Sequence, residues 1–290
     1  MPASPTTAFT EQPTIYVHLG LSRAASTFLQ REVFPKFRGI VCFAKREYRH
    51  RNEVLSHARG ERFLFSHEGI SRKRERLEAL HRDFPRCRPI LVLRRQDRWL
   101  ASRYKYQIHK RGYCSFDLFL ERFEEEVERG EQEPACFAPY LDRLETSFGR
   151  RPLLLFHEEL VADPLNAIRI LAEGVGARID EGDFQLRQLN ASLKNGRLQA
   201  LRRLDTRFAY HRRPRRPGLR RRLDKGLRDT RVAAASLVAA LRPTSGQQDE
   251  ASIVPPEQLE ALRKHYAADW AACLDYARRD RELLIHPEPP

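Results

Sequence analysis

Five short apolar runs punctuate the first half of the chain: "TIYVHLG" (Thr14–Gly20), "GIVCF" (Gly39–Phe43), "RFLFS" (Arg62–Ser66), "PILVLR" (Pro89–Arg94) and "PLLLFH" (Pro152–His157). They are continuous rather than alternating. That pattern predicts strands buried on both faces, as in a parallel sheet covered by helices. The stretches between them predict helices over Ser26–Lys36, Arg72–Arg82, Arg98–Lys110, Phe116–Gly130 and Pro139–Phe148. A further helix is predicted over Asp163–Glu173, where an Asp-Pro pair suits an N-cap and a first helical position. Strand and helix alternate, so the expected class is α/β: a central parallel β-sheet flanked by helices. After about Gly176 the strand pattern stops. "NGRLQALRRLDTRF", "LRRRLDKGLRDTRVAAASLVAALR" and "PPEQLEALRKHYAADWAACLDYARR" all read as helices, separated by the loops "HRRPRRPG" and "PTSGQQDEASIVPP". The expected organisation is a flexible segment at 1–13 and a single domain over 14–290. Within it, an α/β core covers about 14–176 and a helical part about 177–290.

Composition changes this picture in one place. The chain has 290 residues and a formal net charge of +14, but the excess is local. Residues 202–228 hold 12 Arg/Lys against 2 Asp/Glu, leaving about +4 for everything else. That segment has three readings: a solvated arginine-rich helical face, a surface that recruits an anionic acceptor or an anionic membrane, or a nucleic-acid contact. Only two aromatics, Phe208 and Tyr210, interrupt it, and no base-reading module accompanies it. Five scattered cysteines, with no C-x-x-C pair, argue against a disulfide framework or a zinc site and for a reducing compartment. "MPASPTTAFTEQPT" lacks the apolar core of a signal peptide, and the longest mild apolar run, "VAAASLVAAL", falls far short of the ~20 residues a spanning helix needs. The expected location is the cytoplasm, with peripheral contact at a membrane surface left open.

Candidate chemistry sits where two of the predicted strands turn into helices. "HLGLSRAASTFLQ" (His18–Gln30) follows the first strand. A loop in this position offers backbone N–H groups and the positive end of a helix dipole, a ready anion site. Small residues allow close approach, Arg23 adds a charge, and Ser26 and Thr27 can cap the helix or donate to the anion. The Walker pattern G-x-x-x-x-G-K-[ST] is absent. The same residues also describe a tight turn with a capping serine and a surface arginine. The second stretch is "PILVLRRQDRWLASRYKYQ". Here Arg94 ends a buried strand, Ser102 follows eight residues later and Tyr104 two further on. An arginine at a strand's carboxyl end faces the crevice where open α/β sheets bind ligands.

Together these stretches resemble the sulfotransferase superfamily, a P-loop NTPase-like three-layer sandwich whose enzymes use 3′-phosphoadenosine-5′-phosphosulfate (PAPS). "HLGLSRAASTFLQ" is similar, without a gap, to that family's first loop, H-x-G-x-P-K-T-G-T-T-x-L-Q. "FLFSHEGI" resembles the bacterial group's strand ending in a Ser-x-Glu turn, and "LLLFHEELVADPLNAIRILAEGVG" resembles its strand-E-x-L-x-x-x-P-helix segment. The resemblance implies that Arg23, Ala24, Ala25, Ser26 and Thr27 hold the 5′-phosphosulfate and that Arg94 and Ser102 hold the 3′-phosphate. It departs from the family at three loop positions: Arg23 stands for the lysine, Ser22 for the proline and Ala25 for the second glycine.

The implied activity is PAPS-dependent transfer of a sulfuryl group to a hydroxyl, or an amine, of a carbohydrate, glycolipid or small molecule. PAPS is the co-substrate and no metal is implied. Glu68 is the first choice for general base and His67 the second, with Arg23 stabilising charge on the leaving phosphate. The alternative reading of Glu68 is a surface carboxylate paired with Arg72 or Lys73. His18 reads as a strand-end histidine hydrogen-bonded to backbone rather than a base, and His109 as an exposed helix residue or a lining of the acceptor cleft. Lys194 and Asn195 are candidates for closing over the nucleotide. Two rival readings stand beside this one: a nucleotide-binding homologue with weak or lost transferase activity, and a nucleic-acid-binding protein acting through 202–228. The sequence identifies neither the acceptor nor the oligomeric state.

Overall fold

All five apolar runs become strands of one parallel sheet. The computed structural model describes residues 13–43, 53, 62–67, 74–184, 195–207, 229–230, 232–236 and 253–285. The strands are β1 (Thr14–His18), β2 (Val41–Phe43), β3 (Arg62–Ser66), β4 (Arg88–Leu93) and β5 (Leu153–Phe156), in the order β2-β3-β1-β4-β5. Every pairing is parallel. The continuous apolar patterning is explained by burial: Val17, Phe63–Phe65, Ile90–Leu93 and Leu153–Phe156 are all almost fully covered. The chain runs from β1 to one side of the sheet and then crosses to the other. That switch places β1 at the centre, where the carboxyl ends of such sheets form a crevice.

The described residues group into two compact units. The first comprises 1–93, 138–187 and 274–290, and the second 94–137 and 188–273. The sheet lies in the first. Its helices are α1 (Ser26–Phe28), α2 (Arg74–Asp83), α5 (Ala138–Phe148), α6 (His157–Ala162) and α7 (Pro164–Gly174). The second unit holds α3 (Gln96–Arg111), α4 (Phe116–Glu128), α8 (Asn195–Arg207) and α9 (Pro256–His265). The last helix, α10 (Ala267–Ile285), has residues in both.

Local chemistry accounts for most boundaries. Asp163 caps α7 by accepting the Asn166 N–H at 3.1 Å, with Pro164 as its first residue. Ser115 does the same for α4, accepting from Leu118 N–H at 3.2 Å. Helix α7 ends against β5 so closely that a Cβ on Gly174 would stand 2.5 Å from Leu153 Cδ2. Two features depart from expectation. The short helix α6 was not foreseen: Glu159 creates it by accepting the Phe156 N–H at 3.0 Å and gripping the Arg281 guanidinium with both oxygens, at 2.7 and 2.8 Å. The C-terminal helix expected as one piece is two, broken at Tyr266.

A largely buried ion pair helps tie the first unit together. Arg88, at the start of β4, donates to the carbonyls of Arg151 (3.1 Å) and Gly174 (3.3 Å) and to Asp280 Oδ1 (2.6 Å). The second unit is held by an aromatic cluster. Trp99 packs edge-on to Phe123 and Phe137, and Tyr104 to Phe116. The Arg103 guanidinium lies over both Trp99 and Phe123, at 4.9 and 5.1 Å, while pairing with Glu133 at 3.3 Å. Asp269 accepts from Gln96 Nε2 (2.6 Å) and from the Phe137 N–H (2.9 Å), anchoring the start of α3. Among the described residues no helix is long and apolar enough to cross a membrane.

Candidate active site

The loop after β1 takes its shape from its backbone. Leu19 and Leu21 are fully buried, so the chain between them is pinned to the sheet at both points. Leu19 N–H donates to Ile90 O of β4 at 3.1 Å, and Ala24 N–H donates to Leu21 O at 3.3 Å. Three residues then take left-handed conformations: Gly20 (φ 63°), Arg23 (φ 71°) and Ala25 (φ 62°). Glycine adopts this region freely, but an L-residue with a Cβ pays roughly 1–2 kcal/mol to do so. Left-handed residues in such a turn let backbone N–H groups face a common anion. Two non-glycine residues held this way within the three residues Arg23 to Ala25 make the turn a candidate for function.

Within this loop the site residues divide by exposure. Arg23 and Thr27 are exposed, Ala25 is half-buried, and Ala24 and Ser26 are buried. Ser26 does not cap the helix as expected. The N-cap is Ala25, without a side-chain bond, and the Ser26 hydroxyl instead donates back to Leu21 O at 3.1 Å. It stitches the loop closed behind the exposed pair. The helical run that follows is also irregular: α1 gives way to a π-turn at Leu29–Val33 and a 3₁₀ turn at Phe34–Lys36. Such π-turns concentrate at functional sites.

His18, the last residue of β1, is fully buried and faces its register partner Ser66 on β3. Its partner is therefore a side chain and not backbone: His18 Nδ1 lies 2.7 Å from Ser66 Oγ. Burial drives its pKa from 6.5 down to about 4, so the ring is neutral at physiological pH. His67 follows Ser66, is half-buried, and donates its backbone N–H to His18 O at 3.1 Å. Glu68, with Arg72 and Lys73, lies outside the described residues, as do Lys194 and the side chain of Asn195.

The second motif lies in the other unit. Arg94 directly follows β4, and α3 begins two residues later. Asp97 holds Arg95 through a fork of 2.7 and 2.9 Å. Ser102 sits almost two turns into α3 and is buried. Tyr104, the last residue of the R-x7-S-x-Y pattern, is a core anchor: its hydroxyl donates to Cys114 O at 2.6 Å and burial raises its pKa. One residue escaped the sequence reading. Lys105 lies one helical step from Ser102, and burial together with the Arg94 charge lowers its pKa. His109, one turn further on, is half-buried rather than exposed. Of the basic segment, only Arg202–Arg207 are described. They form the end of α8, and the Arg202 guanidinium lies 5.1 Å over the Tyr113 ring.

Two other features do not compete with these motifs. A surface cavity of about 480 Å³, lined by Asp142, Glu145, Thr146, Gly149, Arg150 and Arg151, lies at the amino end of β5, opposite the end from which the loop departs. Among the described residues no group of His, Cys, Asp and Glu could hold a metal ion.

No family model matches the chain. No curated protein matches it either. Solved structures do. A sulfotransferase from Alicyclobacillus acidocaldarius aligns with a TM-score of 0.45 at 14% identity, covering 81% of this chain and 98% of that one. The mouse sulfotransferase SULT7A1, complexed with PAP, aligns with a TM-score of 0.47 at 13% identity, covering 93% of this chain and 87% of that one. Likenesses of this size carry no function by themselves.

Proposed function

We propose that the protein is a PAPS-dependent sulfotransferase acting on a hydroxyl, or an amine, of a carbohydrate, glycolipid or small molecule. One observation carries the reading. The segment whose sequence resembles a phosphosulfate loop leaves the carboxyl end of the central strand and curls through three left-handed residues, with Arg23 and Thr27 exposed. The reading assigns the 5′-phosphosulfate to Arg23–Thr27 and the 3′-phosphate to Arg94 and Ser102.

In the reaction, an acceptor oxygen attacks sulfur in line as the bond from sulfur to the phosphate oxygen breaks. The sulfuryl group passes to the acceptor, the acceptor's proton passes to a base, and 3′,5′-ADP leaves with the bonding electron pair. The transition state is loose, so positioning and charge stabilisation supply most of the catalysis. Arg23 and the loop N–H groups stabilise charge on the leaving phosphate. Arginine keeps the charge of the family's lysine but not its point geometry, and this exchange is the feature that allows the rival reading of a silent homologue. Glu68 takes the proton.

The test is incubation with sulfur-labelled PAPS and a panel of glycans, lipids and phenols, alongside a thermal shift with 3′,5′-ADP. Labelled product and a stabilising shift are expected; absence of both overturns the reading. Steep salt-dependent binding of random oligonucleotide, without either, would favour the nucleic-acid alternative. Glu68→Gln keeps size and reach but accepts no proton at neutral pH. It should cut turnover by about 10²–10⁴-fold while leaving 3′,5′-ADP affinity unchanged. An active Glu68→Gln beside a dead His67→Ala moves the base to the histidine.

A further inference from the structure

The loop and the end of β3 are joined by a chain of three side chains from three segments. Gln30, in the π-turn after α1, donates from Nε2 to Ser66 Oγ at 3.0 Å. Ser66, the last residue of β3, lies 2.7 Å from His18 Nδ1 at the end of β1. Ser66 and His18 are buried, with 2% and 0% of their surface exposed. Ser66 spends one lone pair on Gln30, which leaves its proton available to Nδ1. With Ser66 as donor to the ring, the chain runs Gln30 to Ser66 to His18 and places the hydrogen on Nε2. Nε2 has no hydrogen-bond partner among the described residues, and the ring stands edge-on to Phe34 at 5.3 Å.

The backbone of His18 couples two pieces of the proposed machinery. His18 O accepts the His67 N–H at 3.1 Å, and the residue after His18 opens the anion loop. Gln30 is three residues from Thr27, on the helical run that the loop feeds. We infer that Gln30, Ser66 and His18 form a positioning relay that sets the loop of Arg23–Thr27 against the end of β3, and that it acts on turnover through the residues that follow Ser66. The inference rests on the sulfuryl-transfer reading for its kinetic consequence and on the hydrogen-bond geometry for its existence. None of the three residues is assigned contact with substrate.

Ser66→Thr and Ser66→Val test it as a pair. The two side chains have the same shape, and only threonine keeps the hydroxyl, so a packing role treats them alike. Ser66→Thr is expected to retain turnover within about three-fold, where Ser66→Val loses about ten-fold. For Ser66→Val, KM for PAPS and the 3′,5′-ADP affinity stay within about two-fold, because the loop's own backbone is intact. The imidazole nitrogen spectrum should show His18 Nδ1 unprotonated in the native chain and in Ser66→Thr, and changed in Ser66→Val. Equal turnover in the two variants overturns the relay's effect on catalysis, and an unchanged His18 signal overturns the relay itself. If Ser66→Val does not fold, Gln30→Met removes the first donor and takes its place in both measurements. If the native chain neither transfers sulfuryl nor binds 3′,5′-ADP, the functional reading has failed, and the His18 spectrum alone decides whether the relay exists.

Discussion

The two proposed anion motifs are built by opposite means. The loop after β1 is a backbone device: it holds two L-residues in left-handed conformations, turns Ser26 inward onto Leu21 O, and leaves Arg23 and Thr27 outside. The Arg94–Ser102 motif is a side-chain device. It contains no left-handed residue and presents its groups from a strand end and a regular helix rooted in Trp99 and Tyr104. The difference teaches a division of labour. A strained, pre-shaped backbone suits charge that develops during reaction, since it costs no reorganisation at that moment. Side chains on a rigid helix suit a charge already present in the ground state.

Arg23→Ala is the largest break in this comparison. If the loop acts on the transition state, turnover should fall about 10²–10³-fold, as for loss of one strong electrostatic donor, with 3′,5′-ADP affinity moving little. Steady-state kinetics with labelled PAPS, paired with calorimetric binding, separate the two. An equal loss in affinity and in kcat/KM would make Arg23 a plain binding residue, like Arg94.

Acidity should distinguish the roots of the two motifs. The folded pKa of His18, about 4, lies below the unfolded value of 6.5. The folded state therefore binds the proton less readily. The stabilisation is complete above pH 6.5 and is lost as pH falls from 6.5 to about 4, a total of about 3 kcal/mol at 1.36 kcal/mol per unit. Urea unfolding at several pH values should show His18→Gln with a shallower loss than the native chain in that window. Parallel curves for the two proteins would mean that His18 is not buried and neutral in solution.

The second motif is tested in the ground state. If Arg94 binds the 3′-phosphate, Arg94→Ala removes a charge-assisted contact worth roughly 1.5–3 kcal/mol, about 10- to 100-fold in affinity for 3′,5′-ADP. Binding of 5′-AMP, which lacks the 3′-phosphate, should hardly change, and turnover at saturating PAPS should fall far less than in Arg23→Ala. Equal weakening of both nucleotides would detach Arg94 from the 3′-phosphate.

The legible and illegible parts of the molecule follow the same division. Five strands and their parallel arrangement were readable because burial on both faces writes a continuous apolar run into each segment. The cap at Asp163 was readable because a short polar side chain before proline has one good use. The loop's strain was not, because Arg23 and Ala25 carry no mark of a left-handed backbone, as a glycine at either position would have. The Gln30–Ser66–His18 chain joins residues 36 and 48 positions apart, which no local pattern encodes. Helix α6 was missed because its stability comes from Arg281, far along the chain. Lys105 was overlooked since a lysine on an arginine-rich helix looks like ordinary surface until its half-burial is seen.

The smallest effect sharpens the comparison most directly, because one substitution should act with opposite sign in the two motifs. Ala25 has φ 62°, where a Cβ costs roughly 1–2 kcal/mol. Glycine removes that cost but adds about 0.4–1 kcal/mol of unfolded-chain entropy. Ala25→Gly should therefore stabilise the protein by about 0.5–1 kcal/mol, or roughly 2 °C in Tm for a chain of this size. Ala101 lies inside α3, in regular helical backbone. There the same change gains nothing and costs about 1 kcal/mol in helix propensity, so Tm should fall by a similar amount. Calorimetry of the two variants beside the native chain reads both shifts. A drop in both would mean that Ala25 is not left-handed in solution, and the loop would lose the backbone curl on which its assignment to the phosphosulfate depends.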